Sequence, residues 1–100
     1  MAASLQHEVL TQQLNTIFRI YVDDSNAIDA KLIEVSELNL SPRQERFSIV
    51  FRAPNETFLG QGMRRFEHPE MGEFVLFLVP ISNDDQGYCY EAVFNRLVKT

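Results

Sequence analysis

The chain has a single cysteine, no secretion signal and no long apolar run. Cys89 cannot form an internal disulfide, and no paired C-x-x-C spacing is present that would bind zinc. The longest uninterrupted apolar run, residues 74–81, is far shorter than a membrane-spanning helix, and the amino terminus has neither the basic nor the apolar region of a signal peptide. These absences predict a cytoplasmic protein of a reducing compartment, without a membrane partner.

Catalytic signatures are also missing, since the chain contains no glycine-rich phosphate loop, H-E-x-x-H or G-x-S-x-G. Cys89, His68 and His7 are the only thiol and imidazole groups, and no local motif surrounds them. The alternation of Cys89 with tyrosines favours a buried or half-buried structural thiol. His68 precedes a proline turn, where its ring can hydrogen-bond local backbone. The sequence therefore predicts no enzyme activity and no catalytic, cofactor-binding or metal-binding residues.

Charge excludes another class of partner. The 9 Lys and Arg residues are outnumbered by 14 Asp and Glu residues, which gives a net charge of -5 and disfavours nucleic acid. The acidic turn at residues 23–26 is followed by Ala27 and Ile28, where a calcium loop needs an oxygen ligand and a glycine, so it is typical of a plain hairpin. Five arginines nevertheless fall in the middle third of the chain, where they favour a cationic patch for phosphate or a partner's carboxylates: Arg43, Arg46, Arg52, Arg64 and Arg65.

What is present is the pattern of one small β-rich domain spanning residues 1–100, 45% of them hydrophobic. Residues 5–14 predict a short helix that lies against a sheet or plugs one end of a barrel. From Thr16 onward the apolar period changes to two. Alternation and turn residues then predict about six antiparallel strands, arranged as a curled sheet or small barrel: residues 17–22, 28–38, 46–53, 58–67, 73–82 and 88–95.

Two of these strands have unusual patterns. The apolar phase slips within residues 28–38, which predicts a β-bulge or bend. Residues 73–82 are apolar on both faces, which predicts a central strand that is covered on both sides.

Several segments together resemble a family of small uncharacterised bacterial domains of about this length. They are residues 47–54 (FSIVFRAP), 59–62 (LGQG), 67–72 (EHPEMG), 78–80 (LVP) and 90–95 (YEAVFN), with a similar front end at residues 5–20. The resemblance implies no enzyme activity. Because members often occur beside phage-tail-like collar or fibre proteins, it implies an accessory or assembly role. The matching residues are explained by folding: Gly62 and Gly72 by backbone conformation, Pro69 by a turn, Phe51 and Phe94 by the core, and Arg52 by cross-strand pairing with Glu67 or Glu91.

Our leading hypothesis is a non-enzymatic interaction module that binds another protein, or itself, through a sheet edge or the surface of residues 60–67. The candidate contact residues are Arg52, Gln61, Arg64, Arg65 and His68. The alternative is a small-molecule-binding β-barrel whose mouth is lined by Tyr88, Tyr90 and Phe94, with an arginine as polar anchor. An enzyme using Cys89 or His68 ranks third.

Overall fold

The computed structural model describes residues 6–97, which form one short helix and seven strands. The elements are α1 (His7–Gln12), β1 (Ile17–Tyr21), β2 (Ala27–Val35), β3 (Asn39–Ser41), β4 (Gln44–Ala53), β5 (Gly62–His68), β6 (Gly72–Asp84) and β7 (Gly87–Leu97). The predicted mainly β fold with a short amino-terminal helix is confirmed. Within the described range, no helix is long and apolar enough to cross a membrane.

Six antiparallel strands close into a barrel in the order β1, β5, β6, β7, β4, β2, and β2 pairs back with β1. The seventh strand, β3, forms a hairpin with β4 outside this ring. Alternation turns one face of each strand inward, as with Phe47, Ile49 and Phe51 on β4. Of the two predicted arrangements, the structure adopts the small barrel.

Aromatic rings fill the interior. Phe18 lies edge-on to Phe51, and Phe51 contacts Phe66, with ring centroids 5.2 Å apart in both pairs. Phe94 stacks on Phe47 at 4.6 Å. Phe51 and Phe94 are thus core residues, as the family resemblance implied.

Helix α1 packs against the barrel core. Its Leu10 side chain is fully buried in the core, and His7 Nε2 donates to the Ser36 carbonyl just beyond β2, at 2.8 Å. The helix ends at Gln12, two residues before the predicted end, and Asn15 then adopts the left-handed conformation that asparagine tolerates. The predicted first residue, Leu5, lies outside the described residues.

The phase slip in the second predicted strand corresponds to a real β-bulge. The register of β2 against β4 shifts between Leu32 and Glu34, so the prediction of a bulge is confirmed. The prediction of one strand over residues 28–38 is wrong at its end. Strand β2 ends at Val35, residues 36–38 belong to no strand, and the short β3, which was not predicted, follows at Asn39–Ser41.

The predicted strand over residues 58–67 begins too early, because β5 starts only at Gly62. Residues 54–61 are a connection that joins no ladder. Leu59 is buried in the core, and its backbone N–H donates to the Tyr90 hydroxyl at 2.9 Å instead of to a neighbouring strand. The apolar pair Phe58 and Leu59 therefore imitates a strand although it belongs to a loop.

The prediction that the doubly apolar strand is covered on both sides is also wrong for the described chain. In β6, Leu76 and Leu78 face the core, whereas Val75, Phe77 and Ile81 are about half exposed on the outside of the barrel. A barrel strand has only one inner face, so the second apolar face is left in solvent.

Candidate functional site

His68 does not lie on a surface available to a partner. Its side chain is 4% exposed and is directed inward, with the ring centroid 4.3 Å from that of Phe18. The imidazole Nδ1 accepts the backbone N–H groups of Glu70 at 3.1 Å and Met71 at 3.3 Å. The turn-stabilising interpretation of His68 is confirmed by these two bonds.

The hydrogen bonds around His68 also determine its tautomer. The Thr16 hydroxyl donates to the Gln13 carbonyl at 2.7 Å, so its oxygen accepts from His68 Nε2 at 3.0 Å. His68 is therefore neutral, with its proton on Nε2 and with Nδ1 unprotonated, so that the Nδ1 lone pair accepts the two turn N–H groups. Burial lowers the pKa of His68 below its ordinary value, although the nearby charge of Glu70 acts in the opposite direction.

Arg64 is a structural clamp on the inward face of β5. Its guanidinium Nη2 donates to the Gly60 carbonyl at 2.9 Å, and Nη1 reaches the Val22 carbonyl at 3.4 Å. These bonds tie the connection before β5 to the end of β1. Arg64 is thus directed away from Arg65, as strand alternation predicts.

Arg65 and Gln61 remain on the outside of the barrel. The Arg65 guanidinium carbon lies 3.9 Å from the centroid of the Tyr21 ring, and Nη1 lies 3.9 Å from Glu73 Oε1. Gln61 is exposed at the bend before β5. Among the candidate contact residues, these two are the ones that the structure leaves accessible on the surface of residues 60–67.

Arg52 lies near the end of β4, opposite Lys31 on β2 and Cys89 on β7. It donates to Gln86 Oε1 at 3.1 Å and forms an ion pair with Asp84 at 3.7 Å. The implied pairing of Arg52 with Glu67 or Glu91 is wrong. Glu67 pairs with Arg19 at 3.4 Å, and although Glu91 lies diagonally across from Arg52 on β7, the ion pair of Arg52 is with Asp84. The five candidate contact residues therefore do not share one surface, since His68 is buried. Of the predicted cationic patch, Arg52, Arg64 and Arg65 are bound to different partners, with Arg64 and Arg65 on opposite faces of β5.

Cys89 is 6% exposed and lies in register with Arg52 and Ser82, whereas His68 pairs with Gly72 at the opposite end of the sheet. The prediction of a buried thiol is confirmed. The structure does not bring Cys89 and His68 together. Within residues 6–97, no group of three or more His, Cys, Asp or Glu side chains is arranged to hold a metal ion.

The barrel interior does not form the aromatic mouth of the small-molecule hypothesis. Tyr90 is fully buried, with its hydroxyl bound to the Leu59 N–H, and Phe94 is packed against Phe47. A cavity of about 760 Å³ is instead an open groove on the outside of β1, β2, β5 and β6. It is lined by Ile17, Arg19, Asp29, Glu67, His68, Pro69, Gly72 and Glu73.

The most prominent surface feature is a set of large apolar side chains on the outside of neighbouring strands. Met63 on β5 is 62% exposed and lies directly opposite Phe77 on β6, which is 47% exposed. Val75 on β6 and Val93 on β7 are 52% and 61% exposed. We call these four residues the apolar outer face. Sequence reasoning recognised the second apolar face of β6 but placed it inside the protein.

Next to this face the wall of the barrel is incomplete. The ladder between β6 and β7 joins residues 79–84 to residues 87–91. Both strands continue beyond it, but within residues 6–97 the segment 72–78 pairs only with β5 and the segment 92–97 only with β4. We call this interruption the open seam. Nothing in the alternation of the sequence indicated it, because residues 72–78 and 92–97 themselves keep a period of two.

Searches of the curated proteins and of the solved structures gave no significant match. The family model named Domain of unknown function (DUF6916) matches residues 5–94. This match covers the segments on which the resemblance to an uncharacterised family was based. The chain therefore belongs to the DUF6916 family.

Proposed function

We propose that this domain is a non-enzymatic protein-interaction module that binds another protein through its apolar outer face. The exposure of Met63, Val75, Phe77 and Val93 carries the proposal. Contiguous apolar patches on small soluble domains are uncommon and mark interaction surfaces.

Covering the apolar outer face would release a substantial hydrophobic free energy. Each of the four side chains is roughly half exposed, so covering all of them contributes about 3–5 kcal/mol of gross hydrophobic free energy. Arg65 and Glu73 border this face and supply polar contacts at its rim. In line with the resemblance, the proposed partner is a component of a phage-tail-like assembly in a bacterium, met in the cytoplasm.

Site-specific photo-crosslinking tests this proposal. A photoreactive amino acid replaces Val75 in the full chain, and adducts formed in cells of the source organism are identified by mass spectrometry. The matched control carries the same amino acid in place of Leu40, which is also exposed but lies on β3, outside the barrel wall. We expect one discrete protein adduct at position 75 and none at position 40. Absence of an adduct at position 75, or identical adducts at both, contradicts the proposal.

The external groove favours a second candidate function, the binding of a small molecule. Its volume of about 760 Å³ is within the range of ligand pockets, and it combines the apolar Ile17 with the charged Arg19 and Asp29. A thermal-shift screen tests it with wild type and Ile17→Glu. A ligand that stabilises only the wild type supports this function, and a screen without any stabilising compound contradicts it.

A further inference from the structure

The β6 side of the open seam is an unprotected strand edge. Residues 72–78 continue as a regular strand without a β7 partner. The backbone N–H and C=O groups on the edge away from β5 therefore form no ladder hydrogen bonds with another described strand. Natural proteins protect exposed strand edges against pairing with other chains by proline, bulges or charged residues. In β6 the proline, Pro80, and the bulge between Pro80 and Ser82 lie in the half that is already paired. The unpaired half carries one charged residue, Glu73.

Side chains around the seam favour an occupant in the extended conformation. Phe77 and Val75 point outward on β6, and exposed Val93 lies across the seam on β7. The β6–β7 register, continued past the end of the ladder, would place Phe77 opposite Val93. A partner strand added to β6 would place its own alternate apolar side chains between Phe77 and Val93. These side chains would cover both residues.

Charge distinguishes a foreign strand from a second copy of this chain. In an antiparallel pair of two β6 edges related by a two-fold axis, Glu73 would face another Glu73, a Val75, a Phe77 or a Val79, depending on register. None of these supplies a positive charge. Glu73 is 60% exposed in its side chain, and its contact with Arg65 is long, at 3.9 Å. A lysine or arginine of a different protein complements it.

We propose that the open seam accepts an extended segment of the partner protein as an additional strand on β6, with apolar residues at alternate positions and a basic residue beside Glu73. This inference rests on the proposed function, because it specifies how that partner binds. In this binding mode, backbone hydrogen bonds to the β6 edge supply affinity, and contacts with the exposed second face of β6 supply specificity.

A synthetic peptide pair provides the probe. The blocked peptide Thr-Val-Thr-Val-Thr-Lys-Thr, antiparallel to residues 72–78, places valines beside Phe77 and Val75 and its lysine beside Glu73. The control peptide has glutamate in place of lysine. Each is titrated to millimolar concentration into the full chain, and amide chemical shifts and hydrogen exchange are followed by NMR.

We expect the lysine peptide to slow amide exchange in residues 72–78 several-fold without affecting β3, and to bind about fivefold more tightly than the glutamate peptide. In Glu73→Lys the preference reverses. Phe77→Lys weakens binding, whereas the matched Leu40→Lys does not. Both positions are exposed, and an unchanged circular dichroism spectrum verifies folding.

The inference is overturned if the lysine peptide protects no amide of β6, or if Glu73→Lys keeps the same preference. Formation of a β6-to-β6 homodimer in light scattering, abolished by Phe77→Lys, also overturns it. A specific adduct at position 75 together with an unprotected β6 edge would leave the proposed interaction intact and reject only strand addition. Failure of both experiments rejects both.

Discussion

Protonation of His68 should weaken the fold, because the imidazole is built into the β5–β6 turn as an acceptor. A proton on Nδ1 would face the N–H groups of Glu70 and Met71 and abolish both hydrogen bonds. Burial lowers the pKa of His68 in the folded state, while the unfolded chain keeps a value near 6.5. The unfolded state therefore binds the proton more readily. The stabilisation is complete above pH 6.5 and is lost as the pH falls from there through the folded-state pKa.

Two substitutions give the magnitude. His68→Leu leaves the two turn N–H groups without an acceptor and removes the bond to Thr16, so we expect it to cost roughly 2–4 kcal/mol of unfolding free energy. In His68→Asn the amide oxygen takes the position of Nδ1 and keeps an acceptor for the turn. Its cost should be about 1–2 kcal/mol, from the lost bond to Thr16 and the lost contact with the Phe18 ring.

Urea unfolding of the wild type and both variants between about pH 7.5 and about pH 5 measures these effects. We expect the wild type to lose stability toward pH 5 and His68→Asn to lose less, because asparagine does not titrate. The difference between the two curves isolates His68 from other ionisable groups. An identical pH dependence in both proteins would refute the tautomer assignment. So would a wild type that becomes more stable relative to His68→Asn as the pH falls.

Three further changes test the barrel itself. Tyr90→Phe removes the hydroxyl that accepts the Leu59 N–H at 2.9 Å, and leaving that buried donor unsatisfied should cost about 1–3 kcal/mol in urea unfolding. Gly87→Ala should lower the free energy of unfolding by at least about 2 kcal/mol, because Gly87 has a φ of 138° and an added Cβ would overlap the carbonyl of Ala53. A thermal midpoint equal to that of the wild type would contradict this. Phe77→Lys should change unfolding free energy by less than about 1 kcal/mol, since its exposed ring contributes little to the core; a larger loss by calorimetry would mean that the ring is buried.

Alternation made much of the barrel predictable. In β4, the period-two pattern of Phe47, Ile49 and Phe51 located the strand and its buried face, although the strand starts two residues earlier than expected. The phase slip near Leu32 also located a bulge correctly. These predictions succeeded because burial of one strand face imposes a local and readable period.

Contacts remote in sequence were less predictable. The bond from the Leu59 N–H to the Tyr90 hydroxyl joins residues 31 positions apart, and no local pattern indicates it. Arg52 was assigned to the wrong carboxylates for the same reason, because its ion pair with Asp84 depends on how β4, β7 and β6 are aligned. Sequence reasoning identified His68 as a turn residue from the adjacent proline, but its partner Thr16 lies 52 residues away.

The error on β6 has a different origin, and it bears on function. Apolar residues on both faces of a strand indicate burial of both faces, but they do not say whether the cover comes from the same chain. The barrel covers Leu76 and Leu78 and leaves Val75 and Phe77 in solvent. Within residues 6–97 the second apolar face stays largely exposed to solvent, and an unpaired edge beside it adds an aggregation hazard. A partner that covers this face and pairs with the edge would account for both features at once.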